Sequence, residues 1–465
     1  MRRKKIIENA QISGIEHQGK GLFKVDGKVV FVPATHPGDN VDIKIVKNKK
    51  QYAEGRVLKY NQFAPYRIEA FCPNFGNCGG CKWQNIPYTK QLEYKAGFVK
   101  EAFEHIGKLD FPEIEPIIAC EEDRLYRNKM EYSFSNRRWL TKEEIDSGKT
   151  FDVNHALGFH VAGAFDKVLD IETCYLQSEL SDAIRNEIRA FTIAQHLDYY
   201  DLRAGKGLLR GVIVRKNTKG DYLLLFSVAN AFKDGLFPLY DHLLEKFPAI
   251  KSLNYIVNNT PNDAIYPHKV VNYAGEKFIT EQLNGVQFKI GPKSFFQTNT
   301  RQAEILYSTA IEMLELKGSE TIYDLYTGIG SIALSVAAHC EKVVGIEQVE
   351  DAIKDAKENA QLNKMENAHF YTGDVRDLFN TELIGKYGKP DIIITDPPRA
   401  GMHKDVVKAL SEAAAPKLLY ISCNPNTQAR DLEILCENYR IEKVQPVDMF
   451  PQTHHIENIV LLGVM

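Results

Sequence analysis

The chain has 465 residues, of which 44% are hydrophobic and 26% charged, and its formal net charge is -3. This length exceeds one ordinary domain, and the composition excludes a disordered or fibrous protein. No apolar run reaches the roughly 20 residues that cross a bilayer. The basic start MRRKK is followed at once by Glu8 and Asn9, so we expect a cytoplasmic protein with no signal peptide and no membrane partner.

Basic residues are concentrated at the start of the chain. Residues 1–60 contain 13 Lys and Arg against 6 Asp and Glu, a local charge of +7. The same segment holds five short β-rich runs, and Asp26-Gly27 between two of them is a strong hairpin signal. Such strands are typical of a small OB-like barrel, which binds single-stranded nucleic acid. We predict a nucleic-acid-binding barrel over residues 1–62; a purely structural barrel is the alternative.

Residues 63–285 mix the two kinds of secondary structure. Strands are predicted in YRNKMEYSFS, ALGFHVA, LLRGVIVRK and DYLLLFSVA, and helices in YTKQLEYKAGFVKEAFEHIG, SELSDAIRNEIRAFTIAQH and DGLFPLYDHLLEKF. We therefore predict a mixed α/β central domain. Arg124, Arg127 and Lys129 in its first strand region are candidates for gripping phosphates, with a charged strand edge as the alternative.

Three cysteines of this central region stand close together, as C-x5-C-x2-C in FCPNFGNCGGCKWQ: Cys72, Cys78 and Cys81. Clustered cysteines in a long chain of the cytoplasm indicate a metal or catalysis rather than disulfides. Cys174 is the best candidate for a fourth ligand, and Cys120 is the reserve. Four thiolates favour zinc, with an iron–sulfur cluster second.

From residue 286 short apolar runs alternate with helical stretches: TIYDLY, KVVGIE, AHFYTGD, DIIITD and KLLYISC. This alternation predicts a parallel sheet with helices on both faces. Ligands of such sheets bind outside the carboxyl ends of the strands. The residues that follow each run are therefore the candidate site.

Four features follow the first four runs in order. After the first run comes a glycine loop with Tyr326 and Gly328. After the second and third runs, Glu347 is placed to accept hydrogen bonds from ribose hydroxyls and Asp374 to accept one from an adenine amino group. After the fourth run, Asp396 begins a DPPR turn. This is the layout of a class I methyltransferase that uses S-adenosylmethionine. A nicotinamide-dependent oxidoreductase shares only the first two features and is a distant alternative.

Cys423 directly follows the fifth run and precedes Pro425, so we expect its thiol at the same edge of the sheet. A thiolate there can add to C6 of uracil and make C5 nucleophilic toward the methyl group of the donor. A base must then remove the proton of C5, and Glu457 in HHIEN is the candidate, beside His454 and His455. The alternatives are a buried structural cysteine and a solvated loop acid.

Five motifs together resemble the RNA uracil-C5 methyltransferases along nearly the whole chain: FQTN at 296–299, DLYTGIG, DPPRAG, ISCNP and HHIE. The chain looks most similar to the bacterial 23S rRNA branch, which has an N-terminal TRAM domain and a [4Fe-4S] cluster. The resemblance implies Cys423 as nucleophile and Glu457 as proton acceptor. It implies contacts to S-adenosylmethionine from Gln297, Tyr326, Glu347 and Asp396, with Gly328 and Asp374 completing the predicted cofactor site.

The same resemblance places iron–sulfur before zinc and assigns the cluster to Cys72, Cys78, Cys81 and Cys174. We thus expect an α/β protein with an OB-like TRAM barrel at 1–62, a central domain with the cluster at 63–285, and a Rossmann-like class I methyltransferase domain at 286–465. The expected partner is 23S rRNA, with the uridine flipped out of a loop or single strand, and the expected state is a monomer that binds no DNA. Two alternatives are a tRNA uracil-C5 methyltransferase and a catalytically silent iron–sulfur protein that binds RNA.

Overall fold

The computed structural model describes residues 5–230 and 233–465, which form three β-sheets and a separate hairpin. Arg2, Arg3 and Lys4, which contribute to the predicted basic segment, lie outside the described residues. None of the helices in the part of the chain that the structure describes is long and apolar enough to cross a membrane.

The first sheet has six strands in the order β1-β5-β6-β4-β3-β2. Its strands are β1 (Ile6–Gln11), β2 (Gly14–Ile15), β3 (Gly21–Val25), β4 (Lys28–Val32), β5 (Asn40–Asn48) and β6 (Tyr52–Gln62). Asp26 and Gly27 join β3 to β4 with φ of 50° and 72°, which confirms the predicted hairpin, because its tight turn needs two positive φ values. Alternating side chains such as Val30, Val32 and Ile43 are buried inside this small barrel.

The second sheet has eight strands in the order β14-β13-β12-β11-β7-β9-β10-β8. Its strands are β7 (Lys129–Ser135), β8 (Arg138–Trp139), β9 (Ala156–Val161), β10 (Ala164–Asp170), β11 (Leu209–Lys216), β12 (Tyr222–Val228), β13 (Ile250–Val257) and β14 (Val270–Gly275). The helices of this region are α1 (Tyr88–Ala102), α2 (Lys142–Asp146), α3 (Glu179–Ala194) and α4 (Lys233–Lys246), and a π-helical turn at 103–107 extends α1. The four strands and three helices predicted in this region are confirmed.

Helix α1 packs away from the second sheet, on the C-terminal part of the chain. Its residues Val99 and Ala102, with Phe103, belong to the same apolar cluster as the strands of the third sheet. The hairpin of β15 (Ile279–Leu283) and β16 (Val286–Ile290) also packs there, through Leu283 and Phe288. It spans the expected domain limit at 285/286.

The third sheet has seven strands in the order β19-β18-β17-β20-β21-β23-β22. Its strands are β17 (Thr321–Leu325), β18 (Lys342–Glu347), β19 (Ala368–Thr372), β20 (Ile392–Thr395), β21 (Lys417–Ser422), β22 (Tyr439–Val447) and β23 (Glu457–Val464). Its helices are α5 (Thr300–Leu314), α6 (Ser331–Ala337), α7 (Glu350–Leu362), α8 (Val375–Leu378), α9 (Thr381–Tyr387), α10 (Lys404–Ala413) and α11 (Pro425–Leu435).

The first five strands of this sheet are parallel, as predicted, whereas β23 runs antiparallel to both β21 and β22. The strand order reverses at β17, which lies between β18 and β20. In a doubly wound sheet this switch point opens a crevice at the carboxyl ends of the strands.

Candidate active site

A cavity of about 1520 Å³ lies at the carboxyl ends of the parallel strands, and we call it the donor cavity. It brings together every residue predicted for the C-terminal site: Gln297, Tyr326, Gly328, Glu347, Asp374, Asp396, Cys423 and Glu457. The sheet topology accounts for this convergence, because parallel strands end at one edge.

The glycine loop after β17 is held by Asp324, a residue that the sequence analysis did not single out. Its Oδ2 accepts hydrogen bonds from Thr327 Oγ1 at 2.5 Å and from the backbone N–H of Ala333 at 3.1 Å. Tyr326 between them has φ of 66°, a left-handed conformation that costs free energy for an aromatic residue and is typical of functional sites. Asp324 could have been identified from the DLYTGIG motif, which begins with this acid.

Glu347 and Asp374 are both hydrogen-bonded within the protein. Glu347 accepts the backbone N–H of Gly328 at 3.3 Å and that of Val349 at 2.9 Å, so the carboxylate lies beside the glycine loop. Asp374 caps α8 and forms an ion pair with Arg376 Nη2 at 2.6 Å. The Arg376 hydrogen bond holds the pKa of Asp374 below its usual value.

Cys423 lies between β21 and α11, where the Asn424 side chain caps the helix and donates from Nδ2 to the backbone carbonyl of Arg399 at 3.0 Å. Burial, together with the nearby carboxyls of Glu457 and Asp396, raises the pKa of the Cys423 thiol to about 12. The Arg399 guanidinium acts in the opposite direction. Of the side chains acting on this thiol, Arg399 is therefore the one that favours the thiolate.

Two carboxyl groups, the buried Glu457 and the half-buried Asp396, line the donor cavity with the thiol. Glu457, the first residue of β23, is 5% exposed, and burial together with the charge of Asp396 raises its pKa well above the usual value. Burial also raises the pKa of Asp396 to about 7. The charge of one carboxylate disfavours ionisation of the other, so the two groups do not titrate independently.

Arg399 is oriented by the histidines that precede Glu457. Its Nη2 donates to Nδ1 of His455 at 3.0 Å, and the ring of His454 lies 4.2 Å from that of His455 between centroids. Burial and then the neighbouring His454 lower the pKa of His455 to about 3, so its neutral ring accepts the hydrogen bond. Arg399 was not among the predicted site residues, although the DPPR motif contains it.

The loop that carries these histidines is anchored by helix α1. Lys95 Nζ forms an ion pair with Asp448 Oδ1 at 2.6 Å, with both side chains fully buried, and also donates to the Phe450 carbonyl at 3.0 Å. Gln91 and Gln452 exchange two hydrogen bonds, at 2.8 and 3.0 Å. Residues 448–457 therefore owe their position to a helix more than three hundred residues earlier in the chain.

Replacing Lys95 with methionine is expected to destabilise the protein by about 3–5 kcal/mol, because it leaves Asp448 as a buried charge without its partner. Urea unfolding measures the effect. Adding Asp448→Asn to Lys95→Met removes the unpaired charge and is expected to recover part of the loss. Lys90→Met is the matched control, since Lys90 of the same helix pairs with Glu93 at the surface. A cost for Lys95→Met no larger than that of the control would contradict the anchoring role.

The four cysteines predicted to hold a metal lie near one another. Burial, together with the neighbouring Cys174, Cys78 and Cys72, raises the pKa of Cys81 to about 12. A hydrogen bond to Gln84 opposes the shift. All four are free thiols, and Cys174 is held through its backbone N–H by Asp182 at 3.0 Å. As their side chains stand, the described residues contain no group of three or more His, Cys, Asp or Glu arranged to hold a metal ion.

Cys120, the reserve ligand, lies elsewhere, with its Sγ 3.6 Å from Asn299 Nδ2 beside the C-terminal loop. The three predicted phosphate ligands also differ in position. Arg124 stacks on Phe71, with its guanidinium carbon 3.8 Å from the ring centroid, and Arg127 lines the donor cavity. Lys129 pairs with Glu131 at 2.7 Å.

A doubly wound sheet with a glycine loop after the first strand and acids after the next three defines a class I methyltransferase that uses S-adenosylmethionine. Residues 268–464 match the family model described as tRNA (Uracil-5-)-methyltransferase, and residues 7–58 match the TRAM domain. The chain belongs to the RNA uracil-C5 methyltransferase family, and it is an RNA methyltransferase dependent on S-adenosylmethionine.

Individual relatives agree with this assignment. An "uncharacterized RNA methyltransferase" of Bacteroides thetaiotaomicron is 46% identical over 96% of this chain and 99% of its own length. One of Porphyromonas gingivalis is 44% identical over 97% of this chain and 99% of its own length. Among solved structures, the tRNA (uracil-54, C5)-methyltransferase of Pyrococcus abyssi with S-adenosyl-L-homocysteine is 26% identical, covers 98% of this chain and 100% of its own, and gives a TM-score of 0.77.

Proposed function

We propose that this protein methylates C5 of a uridine in 23S rRNA, with Cys423 as nucleophile and Glu457 as proton acceptor. The observation that carries the proposal is the shared cavity: Cys423 and Glu457 line the same space as the strand-end residues of the cofactor site. A thiol and a buried carboxyl beside a methyl donor are the two groups that C5 methylation of uracil requires. We propose that the protein acts as a cytoplasmic monomer.

The reaction begins when the Cys423 thiolate forms a bond to C6 of the base. The electrons of the C5–C6 double bond move toward the C4 carbonyl, and the enolate carbon C5 takes the methyl group from the sulfonium, which leaves as S-adenosylhomocysteine. Glu457 then accepts the proton of C5. The C–H electrons restore the double bond and expel the thiolate.

The local charges suit these steps. Arg399 is the cation that favours the Cys423 thiolate and the ionised form of Glu457. The raised pKa of Glu457 makes the ionised carboxylate a stronger base than one in water. Asp396 shares this environment, so its protonation sets how often Glu457 is free to accept a proton.

We assign the donor to the residues at the strand ends. Gln297, Tyr326, Gly328, Glu347 and Asp396 line the cavity as such contacts require, and Asp374 completes the set with a carboxylate that Arg376 holds in place. The domain limits proposed for this protein are 1–62, 63–285 and 286–465.

The ribosomal target is supported by the TRAM barrel and the four adjacent cysteines, on the resemblance to the 23S rRNA branch. A tRNA target is the second candidate, since the Pyrococcus abyssi protein named as a tRNA (uracil-54, C5)-methyltransferase covers 98% of this chain. Mapping 5-methyluridine in the rRNA and tRNA of cells with and without the gene tests the proposal. Loss of a 5-methyluridine from 23S rRNA is expected, and loss confined to tRNA would replace the ribosomal target.

We propose that Cys72, Cys78, Cys81 and Cys174 hold a [4Fe-4S] cluster. The chemistry of the donors supports this, because four free thiols close enough to influence one another's pKa are the type of ligand that such a cluster takes; zinc is the alternative metal. Bound by these residues, the group would link the segment before α1, which carries Cys72, Cys78 and Cys81, to Cys174 beside the central sheet.

Cys174→Ser is expected to remove iron and sulfide from protein purified without oxygen. The measurement is the metal and sulfide content per chain, together with visible absorbance. Cys436→Ser, which lies far along the chain near the end of α11, is the matched control and is expected to keep the full content. Zinc in the wild type would replace the cluster, and iron retained by Cys174→Ser would exclude Cys174 as a ligand.

A further inference from the structure

A second cavity, of about 570 Å³, meets the donor cavity at Cys423. Arg399 and His455 also line both spaces, so the reactive thiol stands at a junction. We call this second space the entry cavity. Its volume lies within the range of roughly 300–1,000 Å³ that small-molecule sites occupy. The function proposed above leaves it without an occupant.

One wall of the entry cavity comes from the N-terminal barrel, about four hundred residues away in sequence. His17, Gln18 and Lys20 line it, and they belong to the loop between β2 and β3. We call residues 16–20 the barrel loop. Two backbone hydrogen bonds close it, from Glu16 N–H to the Lys20 carbonyl at 2.9 Å and from Gly19 N–H to the Glu16 carbonyl at 2.7 Å.

The barrel loop lies against residues that neighbour the catalytic Cys423 and Glu457 in the sequence. Asn426, in the first turn of α11, has its Nδ2 3.1 Å from Nδ1 of His17. Gly19 has φ of 81°, and a Cβ placed on it would lie 3.1 Å from His454 Cβ and 3.2 Å from Trp83 Nε1. A side chain at Gly19 is therefore strained by the positive φ and requires a small shift of the loop, His454 or Trp83.

The chemistry of the entry cavity suits a nucleotide. Lys20 and Arg399 give it positive charge, and none of the described residues that line it is acidic. Asn424, His17 and Gln18 add polar groups that can exchange hydrogen bonds with a sugar and a phosphate. Nδ1 of His454 is buried there without a hydrogen-bond partner among the described residues.

We propose that the entry cavity receives the sugar and phosphate of the target nucleotide, and that the barrel loop positions this nucleotide for attack by Cys423. The inference rests on the proposed function and deepens it. The barrel then has two roles: its basic surface attracts RNA, and its loop completes the reactive site. His17 and Lys20 are positioning residues, since the chemical steps belong to Cys423 and Glu457.

The test compares two glycines of the same barrel. Gly19→Ala places a methyl group against His454, whereas Gly27→Ala carries a similar backbone strain, with φ of 72°, and its Cβ meets nothing within 4 Å. The readout is the rate of covalent adduct formation with RNA that contains 5-fluorouridine, at saturating RNA and donor. Gly19→Ala is expected to slow this rate by about 10- to 100-fold, because a displaced barrel loop misplaces the nucleotide and a misplacement on the order of 1 Å can cost about 100-fold. Gly27→Ala is expected to keep the wild-type rate.

A second pair of variants tests the charge and serves if Gly19→Ala does not fold. Lys20→Ala removes a cation from the entry cavity, and Lys24→Ala removes an exposed lysine of the same barrel that lies outside it. Both are expected to weaken RNA binding, but only Lys20→Ala is expected to slow adduct formation at saturating RNA.

If the two variants of each pair form the adduct at the same rate, whether unchanged or equally reduced, the barrel loop has no positioning role. The proposed function then still stands, provided the wild type forms the adduct. Absence of the adduct in the wild type would instead overturn the proposed function and, with it, this inference.

Discussion

Replacing Cys423 with alanine is expected to reduce methyl transfer to RNA to background, a loss of roughly 10⁶-fold, as for other enzymes that lose their nucleophile. Without the sulfur atom C5 is never made nucleophilic, and the donor stays intact beside the base. Methyl groups transferred from labelled S-adenosylmethionine to RNA provide the measurement.

Two controls accompany this variant. Cys436→Ala removes another half-buried thiol, outside the donor cavity, and is expected to retain methyl transfer. Binding of S-adenosylmethionine to Cys423→Ala is expected to equal that of the wild type, because the strand-end residues are untouched. A Cys423→Ala protein that still methylates RNA would exclude covalent catalysis through this residue.

Glu457→Gln is expected to stop the reaction after methyl transfer. The amide leaves Cys423 able to attack but accepts no proton from C5, so a methylated RNA–protein adduct accumulates while turnover falls by about 10²- to 10⁴-fold. Denaturing gels with labelled RNA and labelled methyl groups detect the adduct. Glu442→Gln, an exposed acid on the neighbouring strand β22, is the matched control and is expected to release its product. Normal turnover by Glu457→Gln would remove Glu457 from its role.

The same variant is expected to change stability with a definite pH dependence. The pKa of Glu457 is raised in the folded protein, so the unfolded chain ionises this group at a lower pH than the folded one does. Raising the pH above the usual carboxyl range therefore favours unfolding of the wild type, and this penalty is absent with glutamine. Urea unfolding is expected to show Glu457→Gln gaining stability over the wild type at neutral pH and losing that advantage in acid. A difference independent of pH would contradict the raised pKa.

Local signals in the sequence were sufficient for much of the fold. Asp26-Gly27 specifies a hairpin because only a few residue types tolerate two positive φ values. The strand-end residues were found because five parallel strands must end at one edge, and this geometry brings Tyr326, Glu347, Asp396 and Cys423 to one cavity. The apolar runs located the strands, and the rule that ligands bind at the carboxyl ends of parallel strands located the site.

What the sequence did not reveal depends on contacts between distant segments. The Lys95–Asp448 ion pair joins residues 353 positions apart. Lys95 has the helical spacing of the buried Phe98 and Ala102, but nothing in the local sequence indicates the distant carboxylate that pairs with it. The contact between Gly19 and His454 is equally remote, and Gly19 in the sequence predicts only a turn. The last strand is evident in NIVLLGV, but its antiparallel direction was not predicted, because strand direction depends on the neighbouring strands rather than on composition.

The most direct test of the central claim is the covalent adduct between the wild-type protein and 23S rRNA fragments that carry 5-fluorouridine. Fluorine at C5 does not leave as a proton, so the bond to the enzyme persists after methyl transfer. Mass spectrometry of the digested adduct is expected to find the methylated fluorouridine on the peptide that contains Cys423. An adduct on another residue, or methylated RNA formed with no adduct at all, would contradict the mechanism.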